Sequence, residues 1–377
     1  MSRFDEEKLT SYLDSLIDKG IPSVDCIVYQ DHKQIYRHMN GTVDKDRTKK
    51  VQADQRYLMF SMTKIQTMTA VMQLIEQGKI SMEDEVGKYL PAYSKLQVKD
   101  EEGLRELQEP MRIWHLLSMQ SGLDYDLKRP GILRVTEELG ENATTRDFVD
   151  AFTESPLEFV PGTHFHYSFS HDVVAAIIEV VTGMGFGEYL KKNIWEKLGM
   201  TDTFFAKPEN DDVERLAQQY IMNDEGIVPM EQTCNYQLSE RYESGGAGLI
   251  SCTEDYAKLA DTLACGGISA DGIRLLKAET VEQIKKNLLS EAGMEEIATN
   301  MGRVGYGYGC GMQVFMYPER VGSTAPIGIF GWDGAAGSSI QMDTATRTSF
   351  VYTQHVRNCG MAYETIHPTL RDIVFGE

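Results

Sequence analysis

Strand patterning sits at both ends of this chain and is sparse between them, which limits how the chain can fold. Val24 to Tyr29 and Gln34 to His38 read as two strands of a hairpin joined through Asp31-His32. Similar patterning returns late, at 309–316, 327–331, 338–342 and 348–354, with Asp343-Thr344-Ala345-Thr346 as a hairpin turn. Strands this far apart in sequence satisfy their backbone groups by pairing with one another, so the two ends are expected to build one mixed antiparallel sheet. The expected fold class is α/β of the α+β kind. Residues 1–94 and 300–377 would form the sheet domain and 95–299 an inserted, mainly helical domain, with the active site at the interface.

The helices supply the flanking layers. Residues 5–19 place Leu9, Tyr12, Leu13 and Leu16 on one side, and Thr145 to Phe152 opens on a threonine cap. Asp172 to Thr182 is apolar on nearly every side and is expected to be a buried central helix, ended by Gly183. Gly185 to Leu198 and Thr253 to Cys265 read as amphipathic helices, and Gly245-Gly246-Ala247-Gly248 as a tight backbone passage.

Charge and composition exclude several functions. A net charge of -20, from 57 acidic and 37 basic residues, repels phosphate backbones and anionic membranes, so neither nucleic acid nor membrane is expected as a partner. Met1 to Glu7 has no apolar run behind its arginine and no segment approaches a membrane span, which makes the cytoplasm the expected location. The six cysteines are scattered, without a C-x-x-C pair, and read as reduced thiols. His164, His166 and His171 lack a matching carboxylate spacing, so no metal is expected. Neither a P-loop nor a G-x-S-x-G elbow is present, and Gly305-Tyr306-Gly307-Tyr308-Gly309 precedes no helix; no cofactor is expected.

Chemistry is suggested at Ser61-Met62-Thr63-Lys64, the opening of an amphipathic stretch from Ser61 to Gln77 that Gly78 closes. Lys64 aligns with Met68, Val71, Met72 and Ile75, so its amine points along the buried stripe, where desolvation lowers its pKa. Ser61 lies three residues away on the same side, within reach of that amine. The tetrapeptide also fits an N-cap serine followed by a solvated lysine. Tyr167, in the loop Phe165-His166-Tyr167-Ser168-Phe169, can present its phenol to Ser61 and Lys64 or simply pack; which of Lys64 and Tyr167 holds the proton stays open. Gly331-Trp332-Asp333-Gly334-Ala335-Ala336-Gly337, between two strands, lets a substrate approach the backbone, where the Ala335 N–H can join that of Ser61 as an oxyanion hole; it also fits a ligand-free turn.

Together these segments resemble the serine β-lactamase and penicillin-binding-protein superfamily, in the branch of class C β-lactamases, D-alanyl carboxypeptidases, D-aminopeptidases and family VIII carboxylesterases. The resemblance runs from about residue 20 to 356 and includes Leu74–Ile80, Ile113–Leu117, Ser121-Gly122-Leu123, Pro161-Gly162-Thr163, Ile177–Gly183, Leu198-Gly199-Met200 and Gly246–Leu249. It implies a β-lactamase/transpeptidase-like fold, Ser61 as the acylated nucleophile, Lys64 and Tyr167 as the general-base system, and the Ser61 and Ala335 N–H groups as oxyanion hole. Two motifs depart from the family pattern. Tyr167-Ser168-Phe169 replaces Y-x-N, removing an amide that contacts the lysine and the substrate. Trp332-Asp333-Gly334 replaces K-T-G or H-x-G, bringing no cation for a carboxylate, and Asp333 would repel one. With Trp332, Asp333, Gly334, Phe169 and His166 lining the pocket, the expected substrate is a small acyl ester. The expected enzyme is a carboxylesterase rather than an efficient β-lactamase. The alternatives are a D-amino-acid peptidase or amidase, an acyltransferase, or a sensor that binds β-lactams or peptidoglycan fragments without turnover.

Overall fold

The computed structural model describes residues 4–100, 103–205, 215–234 and 236–376. Both ends of the chain do meet in one seven-stranded antiparallel sheet. Its order is Tyr306–Tyr308, Gln313–Phe315, Phe330–Asp333, Ser339–Asp343, Thr348–Thr353, Ser23–Gln30 and Lys33–Gly41. The N-terminal hairpin joins the C-terminal strands through the register Cys26↔Tyr352 and Val28↔Phe350. Asp31 and His32 both have positive φ, 50° and 67°, the backbone that lets a two-residue turn follow the twist of its strands.

Alternation along these strands assigns each face a partner. Val24, Cys26 and Val28 pack with Phe350 and Tyr352 against the helices Glu6–Asp18 and His367–Phe375, which insert Leu9, Leu13, Leu16, Leu370 and Val374. Each leucine buried there contributes about 2 kcal/mol. Ile27, Ile340 and Val351 face the other way and share a core with Tyr256, Leu259 and Leu263 of Thr253–Ala264. That helix, although inside the 95–299 range, packs on the sheet.

The rest of that range is less uniformly helical than its pattern suggests. It holds the hairpins Gln97–Asp100/Gly103–Glu106 and Tyr220–Asn223/Gly226–Pro229. It also contributes Phe204–Phe205 and Leu249–Cys252 to a small sheet with Arg56–Leu58. These strands are only two to four residues long, too short for a run of alternation to mark them. The helix expected over 185–198 is continuous except for one π turn at Lys191–Trp195. Among the described residues no single helix is long and apolar enough to cross a membrane.

Two central helices carry the site. Thr63–Glu76 is buried from Thr63 to Leu74, so it is a core helix rather than an amphipathic surface one. Ser61 precedes it, in a 3-10 turn over Phe60–Met62. Beside it runs Ser170–Thr182, buried from Ser170 to Ile178 as its apolar sequence demands.

Candidate active site

Delivery of Ser61 begins with the strand Arg56–Leu58, whose pairing with Leu249–Cys252 extends through the bond from Met59 N–H to the Leu249 carbonyl at 2.9 Å. Phe60 then takes φ 46°, a left-handed conformation unfavourable for a bulky residue, and is held there by complete burial among Leu58, Ile250 and Ala336. The turn puts Ser61 at the wall of a cavity of about 490 Å³, with Lys64 one helical turn on and fully buried.

Three oxygens surround the Lys64 amine. Nζ lies 2.8 Å from the Gly246 carbonyl, 2.9 Å from the Tyr125 hydroxyl and 3.2 Å from Ser61 Oγ. Burial depresses its pKa to about 7 against partial opposition from the Asp172 carboxylate. A free amine has two N–H donors and one lone pair. Directed at Gly246 and Tyr125, the donors leave the lone pair for the proton of Ser61. Protonated, the ammonium donates to all three oxygens, so both states are satisfied in one geometry.

Gly246 is a glycine of necessity. A Cβ there would lie 2.7 Å from Asp172 Oδ2, 3.0 Å from the Tyr125 hydroxyl and 3.4 Å from Lys64 Nζ. Asp172, buried on the neighbouring helix, accepts hydrogen bonds at Oδ1 from Tyr242 (2.7 Å) and Ser244 (2.6 Å), anchoring the segment that carries the Gly246 carbonyl.

Tyr167 approaches from the opposite side. Trp332 Nε1–H donates to its hydroxyl at 2.8 Å, and Tyr167 lines the same cavity as Ser61. Burial pushes the phenol pKa up, outweighing the opposing donor from Trp332, so Tyr167 keeps its proton while Lys64 readily gives one up. Of the two groups, Lys64 is the one whose burial favours the neutral, proton-accepting form. Lys64 Nζ stands 4.5 Å from the centre of the Tyr167 ring, close enough for an ammonium formed during reaction to ease loss of the phenolic proton.

The strand end at 330–335 closes the site. Gly334 passes so near the turn that carries Ser61 that a Cβ would meet the Met59 carbonyl oxygen at 2.5 Å. The turn beyond is tied by Gly334 N–H to Ser338 O (2.8 Å) and Gly337 N–H to Gly334 O (2.9 Å), bonds that do not use the Ala335 N–H. Ala335 and Ser61 border the same cavity.

Asp333 behaves differently from the expectation of a bare repelling charge. Its carboxylate is 2.6 Å from Arg303 NH2 and 3.2 Å from His367 Nδ1, with all three side chains buried. Burial alone would raise its pKa, but His367 and the Arg303 guanidinium beside it outweigh that and hold it well below the carboxylate range.

Trp332, Asp333 and Gly334 line the cavity; Phe169 and His166 do not. Phe169 is buried behind Tyr125, with ring centroids 4.6 Å apart, and stacks on Phe152. His166 is exposed, its backbone N–H bonded to the Met119 carbonyl. Tyr125, Arg303 and Glu364 were missed by the sequence reading. Tyr125 stood two residues beyond the recognised Ser121-Gly122-Leu123, the only signal that could have flagged it.

The profile of the β-lactamase family matches residues 7–359 of this sequence. The chain belongs to the β-lactamase family. Among curated relatives of this family member, esterase EstB of Burkholderia gladioli is 26% identical, covering 98% of this chain and 96% of its own. A methylbutanoyltransferase of Penicillium citrinum is 28% identical over 64% of this chain and 59% of its own. Of solved structures, EstCE1, described as a hydrolase with promiscuous acyltransferase activity, superposes with TM-score 0.82 at 24% identity, covering 98% of both chains. Simvastatin synthase of Aspergillus terreus gives TM-score 0.82 at 21% identity, covering 99% of this chain and 98% of its own. These superpositions show the β-lactamase/transpeptidase-like fold.

Proposed function

We propose that this β-lactamase-family enzyme is a carboxylesterase that works through an acyl-enzyme on Ser61. The observation that carries the reading is the Lys64 amine, buried with its pKa near 7 and with two oxygens besides Ser61 to receive its N–H bonds. Lys64 takes the Ser61 proton as Oγ attacks the ester carbonyl, and the oxyanion forms between the N–H groups of Ser61 and Ala335. Collapse breaks the bond to the alcohol, which leaves with the Tyr167 proton, and the Lys64 ammonium then returns a proton to Tyr167. In the second half water gives a proton to Lys64 and attacks the acyl carbon. Ser61 departs with that proton, and the acid is released.

The substrate is a small-molecule ester rather than a β-lactam, because the third motif places Trp332 where a cation would hold the β-lactam carboxylate, and the nearby Arg303 is occupied by Asp333. The cytoplasm is the proposed location. The match to the Penicillium methylbutanoyltransferase supports a second reading, in which an alcohol replaces water as acceptor. Hydrolysis of p-nitrophenyl butyrate, with and without added alcohols, tests both. Turnover abolished by Ser61→Ala is expected; turnover retained in that variant refutes the reading, and a butyrate ester of the added alcohol as main product selects acyl transfer.

A further inference from the structure

We infer that the preferred esters carry an ammonium group, held by Glu364 on the wall of the cavity beside Ser61. The inference rests on the esterase reading and deepens it. Three charged side chains border the cavity: Arg303, Asp333 and Glu364. The first two neutralise each other through their 2.6 Å ion pair, with His367 closing the back of that pair. The Arg303 guanidinium also stands over the rings of Trp332 and Tyr363, at 5.7 and 5.5 Å, so those faces already have a cation. Tyr363 is fixed in turn by donating its hydroxyl to the Gly334 carbonyl at 2.8 Å, which ties this wall to the strand end that carries Ala335.

Among the described residues, Glu364 is left as the one uncompensated charge on the cavity wall. It stands exposed in the turn Ala362–Ile366 and, among the described residues, its side chain enters no hydrogen bond or ion pair. Its Oε1 lies 3.4 Å from where a Cβ on Gly360 would be, which sets the carboxylate over another residue of the cavity wall. The absence of a side chain at Gly360 keeps that approach open. A net charge of -20 adds a long-range field that draws cations toward the molecule and turns anions away.

The ammonium can belong to the alcohol or to the acyl part of the ester, and two substrate pairs distinguish these sources. The first is butyrylcholine with its carbon isostere, in which a tert-butyl group replaces the trimethylammonium. The second is betaine ethyl ester with the corresponding isostere. For each pair the ratio of kcat/KM, cationic over neutral, is measured at pH 8 for wild type and Glu364→Gln. Comparing the two proteins cancels the intrinsic reactivity of the esters. One carboxylate acting on an ammonium a few ångströms away in a partly aqueous site predicts a ratio roughly four- to fifteenfold higher in wild type for at least one pair, shrinking with added salt. The pair that responds identifies the side of the ester that Glu364 reads. Equal ratios in both proteins for both pairs, with the neutral esters turned over, overturn the inference alone. No wild-type turnover of any of the four esters overturns the esterase reading and the inference with it.

Discussion

Tyr125→Phe probes Lys64, the proposed base, without touching Ser61, the proposed nucleophile. The change deletes the oxygen 2.9 Å from Lys64 Nζ and keeps the ring that packs on Phe169 and Tyr236. An ammonium loses more than an amine does: a hydrogen bond to a charged group is worth about 1.5–3 kcal/mol and one between neutral groups about 0.5–1.5 kcal/mol. The protonated form of Lys64 is therefore penalised by roughly 1–1.5 kcal/mol more than the free amine, about one pKa unit. The sign is downward. Wild-type kcat/KM for a neutral ester should rise as pH passes about 7, where Lys64 loses its proton. In Tyr125→Phe that limb should move to about pH 6, with the plateau about tenfold lower because the transition state again needs the ammonium. Stopped-flow or steady-state assays with p-nitrophenyl butyrate from pH 5 to 9 measure both. A limb that stays in place or moves upward would refute the assignment of Lys64 as the base.

The other elements of the site make separable predictions. Trp332→Phe removes the 2.8 Å donor to Tyr167 while keeping an aromatic wall, and should lower kcat about tenfold with little change in KM. Gly334→Ala places a methyl group 2.5 Å from the Met59 carbonyl oxygen and separates the two oxyanion donors; kcat should fall at least a hundredfold, and a variant with wild-type kcat would dismiss the oxyanion assignment. Lys64→Met should abolish turnover yet stabilise the fold. Because the folded pKa is near 7 and the unfolded value about 10.4, the unfolded chain binds more protons between them, and wild-type stability rises with pH across that window. The stabilisation by methionine should accordingly be largest near pH 7, roughly 1–3 kcal/mol after loss of the amine's hydrogen bonds, and shrink toward pH 10. Denaturant melts at both pH values measure it, and a pH-independent difference would contradict the depressed pKa.

How much of this was legible in the sequence depends on how each residue is held. Ser61, Lys64, Tyr167 and the 332–335 strand end lie in segments with their own local pattern, a helix start, a pre-helix loop and a glycine-rich turn; the structure brings Ser61, Tyr167 and the strand end to one cavity, with Lys64 buried behind Ser61. The sheet built from both ends followed from β-patterning separated by some three hundred residues of chain. Tyr125 left no such mark, since its hydroxyl reaches Lys64 only because an irregular loop folds back over the central helix. Arg303 and Glu364 border the site through sheet pairing and the closing helix, relations between distant segments that no periodicity encodes. Phe169 failed as a pocket residue for a related reason: Tyr167, two residues earlier, faces the cavity, while the Phe169 ring fills the core beneath Tyr125.

The acyl-enzyme itself can be observed directly. Wild-type protein mixed with p-nitrophenyl butyrate, quenched in acid within milliseconds and digested, should give the peptide containing Ser61 with one added butyryl group, and Ser61→Ala should give none. A burst of p-nitrophenol without any acylated Ser61 peptide, or the butyryl group on another residue, would contradict the account.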